Sequence, residues 1–321
     1  MSRKTIIFGN GLGMALNPSR FSLDKAIGTV WEDANILSDE QKQLICNCLP
    51  DDRNGRPQGE DELDKLQLAL SACDFLLGIP GSRIHWLSED GQSFPAAVRK
   101  FVHNTAKQFH LTGEVLPATF LDPFLEFIKA TKSHVGMLNY DNLLYQPMID
   151  RELLRGYCGA LVDGFHDSGF NKENLVRKFG RDFGYYLHLH GSPLFVDRNS
   201  TVIKLSQFDL AQQADVISSH IVLTHFAHKP TVISASTVLM SYWQLLSEAI
   251  GESEEIVLFG YSGVDNHLNQ MVKSFSDTSV RVVEWAGAGE VASRSDFWSS
   301  ALGRDVQLIR LANIHEFVQW Q

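Results

Sequence analysis

Short apolar runs, each ending at a glycine or a polar turn, recur along the chain and predict β-strands. Segments with apolar residues at every third or fourth position lie between them and predict helices. The predicted strands are Thr5–Phe8, His134–Asp141, Phe183–Ser192, Thr231–Leu239, Glu255–Phe259, Val280–Trp285 and Val306–Leu311. The predicted helices are Glu60–Leu77, Ala96–Phe109, Thr119–Lys132 and Tyr242–Ile250.

Strands that alternate with helices are typical of α/β proteins. The 321 residues suffice for one large core, or for one core with a sizeable insertion, and no internal repeat divides them. We therefore expect one domain over residues 1–321. Its predicted fold is a Rossmann-like, doubly wound, mostly parallel sheet with helical insertions at about 22–132 and 150–182.

The strand Phe183–Ser192 is the segment around which the other motifs are organised. Tyr186, His188 and His190 alternate with leucines, so they share one face of the strand. Gly191 ends the run directly after His190, which places this imidazole at the carboxyl end of the sheet, where α/β proteins bind ligands. A strand with two polar residues on a half-exposed face is the alternative. His188 lies one step deeper and is the rival candidate, expected to be packed.

A glycine-rich turn, residues 9–13, follows the first strand. Glycines at this place allow backbone N–H groups to approach a pyrophosphate without a Cβ in the way. The spacing is not that of a hydride-transferring dehydrogenase, because it differs from G-x-G-x-x-G and Asn17-Pro18 interrupts the helix that should follow. The turn indicates a nucleotide loop of another kind, and a tight turn without a ligand is the alternative.

Two further strands end in polar groups that suit a ribose or a phosphate. Asn139 and Asp141 lie two residues apart at the end of one strand, where an amide can orient a ribose hydroxyl or a water and a carboxylate can accept from ribose hydroxyls. Asp141 is alternatively a cap of the helix that begins near Leu143. At the end of another strand, Gly260 permits close approach of a ligand and Ser262 can bond a phosphate or ribose. There Asp265 is either a ligand contact or a helix N-cap.

Composition narrows the classes of partner. A formal net charge of −10 argues against direct nucleic-acid binding, and no apolar run approaches the length of a membrane span. The first residues lack the features of a signal peptide, so we expect a cytoplasmic protein. The cysteines match no zinc module and the clustered histidines have no matching cysteine or carboxylate, so no metal is expected. These residues are Cys46, Cys48, Cys73, Cys158, His220, His225 and His228.

In chain order, the four strand ends resemble the nucleotide-binding motifs of the sirtuin family. Residues 9–13 are similar to its first nucleotide-binding motif, and residues 139–141 to its ribose-contacting Asn-x-Asp. Residues 190–192 resemble its His-Gly-Ser, whose histidine is the catalytic base. Residues 260–262 are similar to its Gly-Thr-Ser loop, which contacts the adenosine half of NAD. The resemblance covers most of the chain in order, although only these short stretches are specific.

The chain also departs from the sirtuin deacylases. Their four-cysteine zinc module follows the histidine strand, whereas Cys158 is the last cysteine here. Residues 17–21 replace the family's Pro-Asp-Phe-Arg, which puts the acyl-lysine channel in doubt. The closer resemblance is to the zinc-free, sirtuin-like effectors of bacterial antiphage systems, a branch that hydrolyses NAD. Some members act with a HerA-type ATPase, and such effectors are usually kept silent by assembly. The resemblance therefore implies a homo-oligomer and, by analogy, such a partner.

The activity implied is hydrolysis of NAD⁺, as substrate, to nicotinamide and ADP-ribose during infection. His190 is the expected general base, and Asn139 orients the water and the ribose. The expected NAD-binding residues, with the first three on the pyrophosphate, are Gly9, Asn10, Gly11, Asp141, Gly260, Ser262 and Asp265. Two other classes stay open: a non-catalytic module that senses NAD or ADP-ribose, and a protein ADP-ribosyltransferase or deacylase.

Overall fold

The computed structural model describes residues 2–49, 55–77, 89–213, 217–223 and 229–321. The strands are β1 (Lys4–Phe8), β2 (His134–Met137), β3 (Leu161–Val162), β4 (Phe165–His166), β5 (Gly169–Phe170), β6 (Gly184–His188), β7 (Phe195–Arg198), β8 (Thr201–Lys204), β9 (Glu255–Phe259), β10 (Ser279–Trp285) and β11 (Gln307–Leu311). The helices are α1 (Gly11–Leu16), α2 (Pro18–Phe21), α3 (Leu23–Glu32), α4 (Asp39–Cys46), α5 (Glu60–Leu77), α6 (Glu89–His110), α7 (Ala118–Thr131), α8 (Tyr145–Asp150), α9 (Gln207–Gln212), α10 (Lys229–Ala235), α11 (Thr237–Gly251), α12 (Asn266–Ser274) and α13 (Val291–Leu302). Short 3₁₀-helices lie at Gly156–Cys158, Lys172–Leu175, Ala286–Ala288 and Ile314–Glu316.

Seven strands form one parallel sheet in the order β11-β10-β9-β1-β2-β6-β3. The chain places β2 and β6 on one side of β1 and then β9, β10 and β11 on the other, so the strand order reverses beside β1. Helices flank this sheet. The arrangement confirms the predicted Rossmann-like, doubly wound α/β fold, in which ligands bind at the carboxyl ends of the strands where the order reverses.

The register of the sheet brings the strand ends level with one another. Phe8 pairs with Met137 on one side and with Phe259 on the other, and Met137 pairs with His188. The residues that follow these four therefore leave the sheet along one row. This alignment explains why motifs more than a hundred residues apart meet at one edge.

The hydrophobic interior has two parts. Beside the central strands, the ring of Phe8 packs on Phe124 of α7 and on Phe259, with centroids 5.3 and 5.2 Å apart. A separate cluster, which includes Ile27, Leu66 and Phe101, joins α3, α4, α5 and α6. In its described residues, the predicted insertion at 22–132 contains the helices α3 to α7. Helices α3 to α6 form the separate cluster, whereas α7 packs on the central sheet.

The predicted helices are confirmed. Glu60–Leu77 matches α5, Ala96–Phe109 lies within α6, Thr119–Lys132 matches α7 to within one residue at each end, and Tyr242–Ile250 lies within α11. Their periodic apolar positions were the strongest local signal in the sequence. Within the described ranges, no helix combines the length and the apolar character needed to cross a membrane.

The strand predicted at Thr231–Leu239 is wrong. This stretch forms the end of α10 and the start of α11, which are separated at Ser236, whose hydroxyl accepts a hydrogen bond from the Leu239 N–H at 3.2 Å. A short apolar run rich in β-branched residues fits a buried helix as well as a strand. Here Val232, Ile233 and Val238 are buried as parts of helices α10 and α11.

The segment 150–182, predicted as a helical insertion, contains only short 3₁₀-helices and the strands β3, β4 and β5 beyond the end of α8. The strand β3 extends the central sheet beside β6, and β4 pairs with β5 as a small hairpin. A second hairpin, β7–β8, was not predicted. Its two-residue turn, Asn199-Ser200, has both residues at positive φ, the backbone that a tight hairpin turn requires.

Candidate functional site

The predicted strand ends line a common cavity of about 180 Å³ at the carboxyl edge of the sheet. Residues 9–11, residues 138–140, His190 and residues 260–262 all form its wall, together with Asp265. Four separate segments thus meet as the sequence predicts. Leu23, Phe109, Leu138, Leu223 and Val264 supply the apolar part of the wall.

The turn after β1 and the turn after β9 touch through their backbones. The N–H of Gly9 donates to the Phe259 carbonyl at 2.9 Å, and that of Gly11 donates to the Gly260 carbonyl at 2.8 Å. A Cβ at either position 9 or position 11 would lie 2.6 Å from the Gly260 oxygen. The glycines are therefore required for contact between the two turns, and these two N–H groups are not free to bind the pyrophosphate as expected.

The expected residue Asn10 lines the cavity and is exposed. Its side-chain amide donates to the Phe21 carbonyl at 3.0 Å. That bond ties the turn to the end of α2. Asn10 therefore fixes the shape of the cavity rim through its side chain.

Asn139 and Asp141 occupy different positions relative to the cavity. The Asn139 amide donates to the Gly9 carbonyl at 2.9 Å, and its Oδ1 is buried without a hydrogen-bond partner in the described residues. Asp141 does not line the cavity; its Oδ1 accepts from the Leu143 N–H at 3.0 Å. Burial raises the pKa of Asp141 to about 6. Asn139 therefore lines the cavity, whereas Asp141 does not.

His190 is held by an ion pair beside the cavity. Its Nε2 lies 3.1 Å from Oδ2 of Asp265, and Nζ of Lys229 lies 3.0 Å from the same oxygen. All three side chains are buried. Burial, followed by the positive charge of Lys229, lowers the pKa of His190 although Asp265 opposes the shift. The imidazole is consequently neutral near pH 7 and able to accept a proton.

Asp265 uses all its acceptor capacity inside the protein. Its Oδ1 caps α12 by accepting from the N–H groups of His267 and Leu268, at 3.0 and 3.3 Å. Burial alone would raise the pKa of Asp265, but its partners His190 and Lys229 hold that pKa well below its ordinary value. The helix-cap alternative is therefore correct for Oδ1, while Oδ2 pairs with His190 and Lys229.

Tyr261 shapes the loop that follows β9. Its hydroxyl accepts from the Asp265 N–H at 2.8 Å and lies 3.0 Å from Oδ1 of Asn269. Gly260 adopts a φ of +58°, and the exposed Ser262 lines the cavity. The loop is closed on itself by the tyrosine, so Gly260 and Ser262 are presented to the cavity in a fixed arrangement.

A second, larger cavity of about 720 Å³ adjoins the first and shares Gly11 and residues 260–262 with it. Trp285, at the end of β10, is 60% exposed and lies in its wall. The nearby Glu284 carboxylate is saturated by Arg294, Arg310 and Trp298, at distances from 2.7 to 3.3 Å. The wall of the second cavity therefore contains the aromatic ring of Trp285 and the guanidinium of Arg294, while the Glu284 carboxylate is already paired.

Neither His188 nor His220 lines the cavity beside His190. His188 is fully packed and lies outside the cavity wall, while His220 bonds Ser236 and Asp197 at 2.8 and 3.2 Å. His225 and His228 lie outside the described residues. Within the described ranges, no group of three or more His, Cys, Asp or Glu side chains could hold a metal ion.

Lys229 and Trp285 are the functional candidates that the sequence analysis missed. Lys229 begins α10, 36 residues before its partner Asp265, and nothing in its local sequence indicates that contact. Trp285 had a weak signal, since it is a large apolar residue at the end of a strand already predicted. A strand-end rule applied to β10 would have selected it.

No protein-family model matches the chain, and a search of curated proteins found no match.

Proposed function

We propose that this chain is an NAD⁺ hydrolase that cleaves the bond between nicotinamide and ribose. The observation that carries the proposal is one cavity wall that contains both a neutral, buried His190 and Asn139, whose buried Oδ1 has no hydrogen-bond partner in the described residues. A buried polar atom without a partner is rare in folded proteins and calls for a water or a ligand. The order of the four strand-end motifs, similar to that of sirtuins, supports NAD as this ligand.

The two adjoining cavities suit the two halves of a dinucleotide. In the proposed arrangement the nicotinamide and its ribose occupy the cavity beside His190, and the adenosine occupies the larger cavity beside Trp285. The pyrophosphate then crosses the shared residues, Gly11 and Gly260–Ser262. Aromatic side chains stack readily on nucleobases, and the Ser262 hydroxyl is available to a phosphate or ribose.

The proposed reaction needs a base and an oriented water. Nicotinamide leaves with the electron pair of the C1′–N bond and so loses its positive charge, which requires no strong acid. A water oxygen bonds to the oxocarbenium-like C1′, and the water proton passes to His190. Asn139 is proposed to orient the water and the ribose through Oδ1. The products are nicotinamide and ADP-ribose.

The test is to incubate the purified, assembled protein with NAD⁺ and to follow release of nicotinamide by chromatography. Stoichiometric release of nicotinamide and ADP-ribose, lost in His190→Ala, is the expected result. NAD⁺ binding without release would favour a sensing module. Labelled ADP-ribose on protein, or loss of an acyl group from an acyl-lysine peptide, would favour a transferase or a deacylase.

The biological role belongs to the same proposal. A sirtuin-like hydrolase of this kind would act in the cytoplasm as the NAD-depleting effector of an antiphage system. Assembly as a homo-oligomer, with a HerA-type ATPase as a further partner, would restrain it until infection. Measurement of cellular NAD during phage challenge, with and without His190→Ala, tests that role separately from the chemistry.

A further inference from the structure

The carboxylate of Asp265 is surrounded by donors on both oxygens. Backbone N–H groups of α12 bond Oδ1, while Lys229 and His190 bond Oδ2 at 3.0 and 3.1 Å. Its exposed fraction is only 2%, so water does not compete for these positions. An ionised carboxylate has about four lone-pair positions and no hydrogen to donate. Every group bonded to Asp265 must therefore bring its own hydrogen.

This requirement fixes the proton of the imidazole. A neutral histidine carries one N–H, and the nitrogen that faces an ionised carboxylate has to be that donor. In His190 this nitrogen is Nε2. The lone pair is then on Nδ1, which has no hydrogen-bond partner in the described part of the chain, in a ring that lines the cavity.

Lys229 completes the arrangement, because its ammonium is the partner of Asp265 that is charged when His190 is neutral. The ion pair is buried, with side-chain exposures of 6% and 3%. The ammonium of Lys229 keeps the Asp265 carboxylate ionised, so the carboxylate can accept hydrogen bonds while His190 stays neutral. The same logic of a buried carboxylate that fixes a histidine tautomer operates in serine proteases.

We infer that Asp265 and Lys229 are positioning residues that hold the proton of His190 on Nε2, so that Nδ1 is the nitrogen that takes the proton from the ligand. This inference rests on the proposed function for its chemical consequence. During hydrolysis the water oxygen bonds to C1′, the C1′–N bond breaks, and the water proton binds to Nδ1. The resulting imidazolium is stabilised by Asp265 through Nε2–H and later releases the Nδ1 proton to solvent.

The decisive variant is Asp265→Asn, which retains the size of the side chain and an oxygen to cap α12. Its NH₂ group replaces Oδ2 as a donor, so Nε2 must become the acceptor and the hydrogen moves to Nδ1. We expect kcat for nicotinamide release to fall by about 10³- to 10⁴-fold while KM for NAD⁺ changes little. A kcat within a few fold of the parent protein would overturn the inference.

A spectroscopic readout separates this inference from the proposed function. In protein carrying ¹⁵N-labelled histidine, the His190 signal, assigned by its loss in His190→Gln, should show the Nε2–H tautomer. In Asp265→Asn it should show the Nδ1–H tautomer. An Nδ1–H signal in the parent protein overturns the inference whatever the activity. An Nε2–H signal in a protein that releases no nicotinamide would contradict only the proposed function.

Two further variants guard against misfolding. Asp265→Asn leaves the Lys229 ammonium buried without its counter-charge, so the double variant with Lys229→Met restores a neutral site and should show the same change of tautomer. Asp163→Asn is the matched control, because Asp163 is similarly buried and its Oδ2 lies 2.7 Å from Nζ of Lys204. Neither residue of this pair lines the cavity. That control should leave the His190 tautomer unchanged; a change there would also overturn the inference.

Discussion

Two histidines that are only two residues apart, one at the end of β6 and one just beyond it, have opposite surroundings. His188 ends the strand among the rings of Tyr145, Tyr186 and Phe195, with centroids 4.9, 5.0 and 5.2 Å away. Burial lowers its pKa to about 3, and its Nε2 has no partner in the described residues. His190 lies in the turn beyond the strand, lines the cavity and bonds Asp265.

The difference shows that strand alternation assigns a side chain to a face but does not decide what it contacts. A residue inside a parallel sheet is covered by helices and by neighbouring strands. A residue just after the last strand pair faces the crevice. The region around His188 is therefore structural interior, while the region around His190 is a candidate for chemistry.

The sharpest test of this contrast is alanine substitution at each histidine. His190→Ala should lower nicotinamide release by roughly a thousandfold, the effect of losing a general base, with a small change in stability. His188→Ala should lower the free energy of unfolding by about 2–4 kcal/mol, because it opens a cavity among aromatic rings. Activity assays and chemical denaturation measure the two effects. The reverse pattern would assign the base to His188.

Asp141 is buried like His188 but lies close in sequence to Asn139, which lines the cavity. Its pKa of about 6 exceeds the ordinary 3.8, so the folded state binds this proton more tightly than the unfolded state. Its contribution to stability is present below about pH 4 and is lost as the pH rises through 6. Asp141→Asn removes that loss and should raise the free energy of unfolding at pH 7.5 by on the order of 2–3 kcal/mol. A less stable variant at pH 7.5 would show that a partner stabilises the carboxylate.

Lys229→Met should shift the pH dependence of the reaction. His190 is affected by Lys229, which lowers its pKa, and by Asp265 and Glu60, which raise it. Removing the ammonium leaves only the raising charges, so the acidic limb of kcat/KM should move upward by on the order of one pH unit. Lys204→Met, beside His188, is the control and should leave the limb unchanged. An unmoved or lowered limb in Lys229→Met would contradict this electrostatic account.

The smallest expected effect concerns the second cavity. Trp285→Ala removes the exposed ring proposed to stack on adenine, so KM for NAD⁺ should rise about five- to tenfold with kcat unchanged. Phe208→Ala is a matched control, because Phe208 is 73% exposed and lines neither cavity. Steady-state kinetics over a range of NAD⁺ concentrations distinguishes the two constants. A fall in kcat with constant KM would place adenosine elsewhere.

Most of the central sheet could be predicted because its strands are short apolar runs that glycines or polar turns bring to an end. Residues 255–259 and 280–285 are examples, and both form strands at or next to the predicted bounds. The meeting of the four motifs at one edge of the sheet could be predicted because the carboxyl ends of parallel strands lie at the same edge. This prediction did not require knowledge of the strand order.

What could not be predicted depends on contacts between distant segments. The run Thr231–Leu239 is compatible with either secondary structure, and tertiary packing selects the helix. The strand β3 has two residues, too few for a periodic signal. The pair Lys229–Asp265 and the hydrogen bonds that occupy the Gly9 and Gly11 N–H groups exist only in the folded chain.

The backbone contact between the turns after β1 and β9 divides the pocket into a fixed and an adjustable part. No side chain separates Gly11 from Gly260, so neither turn can be widened without prising two main chains apart. Adaptation of this cavity to a bulkier ligand would therefore proceed through the side chains that line the rest of its wall. There the helices between residues 22 and 132 contribute Leu23 and Phe109, whose side chains can be exchanged without any change to the contact between the two glycine turns.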